Sequence, residues 1–269
     1  MSEVIVVTSG KGGVGKTTTT ANVGSALSKI GYKVLLIDTD IGLRNLDVVM
    51  GLENRIVYHL VDVIEGKCKA QQAIIKDKNN PGLYLMPAAQ TRDKTSVEPE
   101  QMKKMVDDLK ADYDYVIIDC PAGIERGFKN AIAPADRAIV VTTPEVSAIR
   151  DADRIIGILD ANEIPRIDLI VNKVRKDMVK RGDMMSVDDV VDILAINMIG
   201  TVACDEAIII SSNKGETIAT TTKKASREYI NIAKRITGVD LNTENETGYK
   251  LFSWLKKDKN VHKVQSQGL

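Results

Sequence analysis

SGKGGVGKT, residues 9–17, fits two phosphate-binding patterns at once. Gly10, Gly12 and Gly15 satisfy the G-x-G-x-x-G of a dinucleotide loop, while Gly10, Gly15, Lys16 and Thr17 satisfy the G-x-x-x-x-G-K-[ST] of a nucleoside triphosphate loop. In either case glycines let successive backbone N–H groups point at phosphate oxygens, and the following helix adds its positive N-terminal end. Lys16 followed by Thr17 separates the patterns: it offers an ammonium for the β and γ phosphates and a hydroxyl for Mg²⁺, neither of which a dinucleotide site requires. Asp38, however, lies about twenty residues further on, where a ribose-binding acid would sit. The loop alone leaves both patterns open.

The frame around the loop is an alternation of strands and helices. Short apolar, β-branched runs occur at 4–8 (VIVVT), 34–38 (VLLID), 83–86 (LYLM), 115–119 (YVIID), 138–142 (AIVVT) and 169–172 (LIVN), with a weaker one at 199–203 (IGTVA). Such runs are buried on both faces, which predicts a parallel sheet with helices above and below. A helix beginning at the loop carries Val23, Ala26, Leu27 and Ile30 on one face and stops before Gly31; others are predicted near 98–110, 147–161, 186–194 and 222–237. The fold class is therefore α/β: one doubly wound, mostly parallel sheet with helices on both faces, a single domain over residues 1–239. Its ligands belong at the carboxyl ends of the strands, where loops 9–17, 38–47 and 119–127 converge. DLNTENETG, 240–248, is polar and turn-rich and reads as a linker.

Composition excludes several classes. With 269 residues, 43% hydrophobic and 28% charged, the chain is ordinary for a globular protein, and a formal net charge of +0 argues against a globally basic nucleic-acid binder. Cys68, Cys120 and Cys204 are scattered, without a C-x-x-C, and read as small buried apolar residues. The opening MSEVIVV lacks the regions of a signal peptide and no run of about 18 apolar residues occurs, so a cytoplasmic chain is expected.

Asp119 decides between the two loop patterns. It ends the buried run YVIID, where an acid that holds Mg²⁺ belongs, and a hydride-transfer site has no use for one. The alternative is an aspartate that merely caps the next helix. Gly10 through Thr18 are thus read as the phosphate loop of a P-loop NTPase, Gly13 and Val14 included, with a nucleoside triphosphate and Mg²⁺ as its ligands.

Lys11 extends the loop to KGGVGKT, which resembles the deviant Walker A motif of the ParA/MinD superfamily of dimeric ATPases. DIGLRNLDVVMG (40–51), QTRDK (90–94), DCPAGIE (119–125), PEVSAIRDADRI (144–155) and RGDMMSVDDV (181–190) are similar to its MinD family in particular. The resemblance implies an ATPase in which Lys16 neutralises the β and γ phosphates, while Thr17 ligates Mg²⁺ with Asp119 and Asp38 behind it. It implies that Asp40 orients the attacking water and that Gly123 offers its N–H to the γ-phosphate. It also implies that Lys11 crosses a two-fold interface to the partner's nucleotide, with Asp151 as its partner or else an ordinary helix-surface acid. Asn172 matches a position where relatives read adenine, or else suits the turn after a strand. Where relatives carry Pro-Glu-Asp near the base, this chain has Ala203, Cys204 and Asp205.

GYKLFSWLKKDK, 248–259, gathers the only Trp and one of the two Phe. As a helix over 249–259 it would put Leu251, Phe252 and Leu255 on one face with Trp254 at its edge, and Lys250, Lys256 and Lys257 around them. That profile suits an interfacial membrane anchor, or else a terminal helix docked on its own domain; resemblance to the family's membrane-targeting tail favours the anchor. No role is assigned to 260–269. The implied protein is a homodimer with ATP, cytoplasmic and peripheral on the inner face of the cell membrane, bound to anionic phospholipid. It positions a MinC-like division inhibitor and answers to a MinE-like activator or a coiled-coil polarity protein. Arg44, Glu53 and Asp153 belong to the matching partner surface or else are ordinary solvated charges, and no specific nucleic acid is expected. The rival function is a ParA-like partition ATPase that rides on DNA; the apolar residues of the tail suit lipid better than phosphate.

Overall fold

The computed structural model describes residues 2–92 and 96–239. The linker expected at 240–248, the amphipathic segment at 249–259 with Leu251, Phe252, Trp254, Leu255 and its lysines, and the extension at 260–269 lie outside the described residues. In chain order the strands are β1 (Glu3–Thr8), β2 (Val34–Asp38), β3 (Ile75–Lys76), β4 (Leu83–Met86), β5 (Tyr115–Asp119), β6 (Arg137–Thr142), β7 (Ile167–Val174) and β8 (Asn197–Ala203). The helices are α1 (Lys16–Lys29), α2 (Leu46–Val49), α3 (Leu60–Ile64), α4 (Ala70–Ala73), α5 (Pro99–Leu109), α6 (Arg126–Ile132), α7 (Val146–Ala161), α8 (Lys176–Arg181), α9 (Val187–Leu194), α10 (Glu206–Asn213) and α11 (Lys224–Ile236).

The strands form one sheet in the order β3-β4-β2-β5-β1-β6-β7-β8. Neighbours are parallel except β3 against β4. Alternation along each strand feeds two cores. Val4, Val6, Leu35, Ile37, Val116 and Ile118 pack toward α5, α6, α7 and α9, whereas Ile5, Val7, Val34, Leu36 and Ile117 pack toward α1 and α11. Each such side chain contributes about 1.5–3 kcal/mol when fully buried, which is why both faces must be covered. The expected helical face of α1 is borne out: Val23, Ala26 and Leu27 are fully buried, with Ile30 packed beside them.

The doubly wound class holds, and the expected runs all become strands. β3 was not expected; at two residues it is too short to carry a period. α2, α3, α4, α6 and α8 were also not expected, since helices of four to seven residues fall below the length at which periodicity speaks, and neither was α10, whose apolar residues form one run without a helical period. β1, β2 and β5 are neighbours, so the loops that follow them emerge together at one end of the sheet.

Candidate active site

The loop after β1 turns through left-handed backbone at Gly13 (φ 79°) and Gly15 (φ 95°), conformations that cost other residues about 1 kcal/mol or more. Close packing adds a second demand on glycine: a Cβ on Gly15 would strike the Asn172 amide, and one on Gly10 the backbone carbonyl of Asp151. Several loop carbonyls are held from outside. Ser9 Oγ donates to the Lys11 carbonyl (2.9 Å), Lys173 Nζ to that of Gly13 (2.7 Å) and Asn172 Nδ2 to that of Val14 (2.8 Å). The loop runs directly into α1, whose first turn holds no acidic residue, leaving its N-terminal donors for an anion.

Behind the loop sit paired carboxylates. Asp38 and Asp119 are register partners at the carboxyl ends of β2 and β5, each about 1% exposed. Asp38 accepts the N–H groups of Asp40 (2.9 Å) and Leu46 (3.2 Å), and Asp119 accepts Thr20 Oγ1 (3.1 Å). Burial, and then the neighbouring Asp119 charge, push the Asp38 carboxyl up to about 8. Burial raises Asp119 to about 6, opposed by the Lys16 ammonium and by the hydroxyls of Thr17 and Thr20. Two buried acids beside a threonine hydroxyl form a hard-oxygen set that a divalent cation would relieve. Mg²⁺ asks for one or two carboxylates and completes its shell with water and phosphate oxygens, a demand that these groups fit. A ribose-binding role for Asp38 is not supported, because its carboxylate is buried against Asp119 and bonded to its own loop.

This arrangement has a pH consequence for the metal-free chain. Both folded carboxyls lie above their ordinary value of 3.8, so between about pH 4 and about pH 8 the unfolded chain gives up protons that the folded chain keeps. Stability contributed by this pair is therefore full in acid and falls as pH rises. Thermal melts in chelator should show that decline over this range, and Mg²⁺ with nucleotide should flatten it; stability rising with pH in chelator would contradict the assignment.

A cavity of about 600 Å³ opens beyond these groups, large enough for a nucleotide, and is lined among others by Gly12, Lys16, Thr17, Asp40, Asn172 and Asp205. Asn172 is buried and already engaged at both ends, donating to Val14 and accepting the Lys173 N–H (2.9 Å). A primary amide retains one further hydrogen and one lone pair, so a base contact would be added to a structural role. Asp205 caps α10 by accepting the Ala207 N–H (2.9 Å). The expectation of buried cysteines holds for Cys120, fails partly for the half-buried Cys68 and fails for Cys204, whose exposed thiol lines the cavity. Gly123 follows β5 in left-handed backbone (φ 93°), close in sequence to Asp119.

Lys11 behaves differently from Lys16. It does not line the cavity; its Nζ lies 3.1 Å from Ser147 Oγ and 3.5 Å from Glu145 Oε2, at the start of α7. Within one chain Asp151 contributes its backbone carbonyl against Gly10. Ser9, Ser147, Glu145 and Lys173 were not singled out from sequence. Their parts depend on contacts between distant segments, and no local pattern marks them.

The comparisons with known proteins agree with this geometry. A family model described as an AAA domain matches residues 2–167. The septum site-determining protein MinD of Bacillus subtilis (strain 168) is 62% identical over 241 residues, covering 88% of this chain and 90% of that protein. The chain belongs to the MinD family. MinD of Synechocystis is 55% identical over 243 residues, covering 90% of this chain and 91% of that protein. Among solved structures, the MinC:MinD cell division protein complex of Aquifex aeolicus superposes with a TM-score of 0.85 at 47% identity, covering 91% of this chain and 100% of that one. MinD of Pyrococcus horikoshii, complexed with Mg-ADP, gives 0.80 at 28% identity, covering 88% and 96%. The resemblance read from the loop and the motifs after it is thus the family found. Like other MinD proteins the chain is a P-loop ATPase of cell division.

Proposed function

We propose that the chain is an ATP-dependent, membrane-associating dimer that positions a division inhibitor during septum-site selection, and that hydrolysis of ATP to ADP and phosphate releases it from the membrane. The observation that carries the dimer is the placement of Lys11. An ammonium on the phosphate loop that avoids its own cavity and rests on the partly exposed Glu145 and Ser147 is available to a second copy. Its exposed pair with Glu145 is worth at most about 1 kcal/mol, so exchange for a partner's phosphates is inexpensive. Asp151 is the proposed intersubunit partner of Lys11.

Phosphoryl transfer asks the protein for positioning and charge stabilisation. Lys16 and the loop N–H groups hold the β and γ phosphates. Thr17, Asp38 and Asp119 would hold Mg²⁺, which neutralises phosphate charge when bound. Asp40, in the cavity wall, orients the attacking water; Gly123 presents its N–H to the terminal phosphate and thereby reports its presence to the loop. Asn172 and Asp205 take the base end of the nucleotide.

Membrane association rests on the sequence of 249–259. A helix of about eleven residues is marginal alone and binds lipid weakly, but two on one dimer gain about 10² to 10⁴ in apparent affinity. No helix among the described residues is long and apolar enough to cross a membrane. The Aquifex complex pairs MinD with MinC, which supports a MinC-like inhibitor as partner; Arg44, Glu53 and Asp153 are its proposed contacting residues. A MinE-like activator or a coiled-coil polarity protein would remove the dimer from the membrane or place it there. Co-sedimentation with anionic phospholipid vesicles tests the switch. Pelleting is expected with ATP and not with ADP or without nucleotide. Equal pelleting in all these states would remove the proposal, and retention on DNA with ATP but no lipid binding would favour the partition function instead.

A further inference from the structure

We propose that Lys173 is a positioning residue of the phosphate loop. Its ammonium, carried near the end of β7, aims one of the loop's N–H groups at the phosphates. The inference rests on the assignment of the cavity to a nucleotide.

A trans peptide is planar, with its C=O and the following N–H pointing in opposite directions. Whatever holds a carbonyl outward therefore turns the next N–H inward. Ser9 on the Lys11 carbonyl sets the N–H of Gly12, and Asn172 on the Val14 carbonyl sets that of Gly15. Lys173 Nζ, 2.7 Å from the Gly13 carbonyl, sets that of Val14. Gly13 is a left-handed glycine, so without a holder its carbonyl rotates more freely than that of a residue with a Cβ.

The backbone at Lys173 is shaped for this contact. β7 pairs with β8 through Val171, with one register shift between Leu169 and Ile170, and pairs again at Val174 after a second shift that follows Val171. In that bulge Lys173 takes φ 56°, a left-handed conformation uncommon for a lysine, and it lines the same cavity as Lys16 and Thr17. Strained backbone that delivers a side chain to a ligand cavity is where such conformations concentrate.

Titration of Mg-ADP into the full chain, by calorimetry, tests this. Asparagine tolerates left-handed backbone and lacks the ammonium, so Lys173→Asn is expected to weaken Mg-ADP about tenfold, the scale of one charge-assisted hydrogen bond, while melting with the parent. Lys173→Arg, which keeps a cationic donor, is expected to restore most of the affinity. Parent-like affinity in Lys173→Asn would overturn the assignment, as would an Asn variant whose affinity loss is matched by a lowered melting temperature and not recovered by Arg. If the parent chain itself bound no Mg-ADP, the nucleotide assignment of the cavity would fall instead.

Discussion

Lys16→Ala is expected to weaken Mg-ATP binding by about a hundredfold or more while leaving the chain folded. Lys16 opens α1 and lines the cavity, and its ammonium is the charge that opposes the upward push on Asp119. A triphosphate entering this site meets two buried aspartates, and without Lys16 the charge left to offset them is that of the accompanying Mg²⁺ and of Lys173, whose ammonium is held on the Gly13 carbonyl. Hydrogen bonds to charged groups are worth about 1.5–3 kcal/mol each, and Lys16 is positioned to make more than one to the phosphates. The side chain is not a core element, so far-ultraviolet circular dichroism should match the parent. Calorimetric titration that gave parent-like affinity for the variant would show that another group anchors the phosphates.

Arg137→Ala is expected to destabilise the fold by about 3–5 kcal/mol, the cost of breaking a buried ion pair by removing one partner. Arg137 begins β6, at the end of the sheet away from the phosphate loop, and its side chain is fully buried. Its Nε lies 2.6 Å from Asp168 Oδ2 on β7, and its Nη1 donates to the Ile236 carbonyl at the end of α11 (3.3 Å) and lies 3.7 Å from Glu3 on β1. Asp168, also fully buried, further takes the half-exposed Arg166 at 3.0 Å and the Asn197 amide from β8. One guanidinium thus ties together neighbouring strands and a helix end. Truncating it leaves Asp168 with a partner that water screens. Urea denaturation should locate the loss, and Arg137→Met combined with Asp168→Leu should be more stable than Arg137→Ala, because removing both charges removes the desolvation penalty. A single variant within about 1 kcal/mol of the parent would show that the pair is dispensable.

These two residues mark the limits of what sequence reveals here. Lys16 was legible because everything that identifies it is local: the glycines before it, the threonine after it and the strand and helix periodicities on either side. Asp119 was legible for the same reason, as a charge at the end of an otherwise apolar run. Arg137 gave no such signal. Its partner Asp168 is 31 positions away on another strand, and either residue alone reads as a polar flank at a strand's start. Asn172 was singled out for a base, yet its bonds inside the chain go to its neighbour Lys173 and to Val14, 158 residues distant. Lys173 was passed over because its left-handed backbone arises from a bulge between β7 and β8, a property of the pairing and of no residue within it.

By itself the sequence determined the secondary-structure rhythm, the doubly wound class, the nature of the phosphate loop and the family, because backbone preferences and apolar alternation act over a few residues. Strand order, the adjacency of Asp38 to Asp119, the outward grip on the loop carbonyls and the buried Arg137–Asp168 pair were decided only when the sheet closed. Those contacts join segments far apart in the chain, and whether a polar group ends beside its partner depends on register and burial that no short stretch encodes.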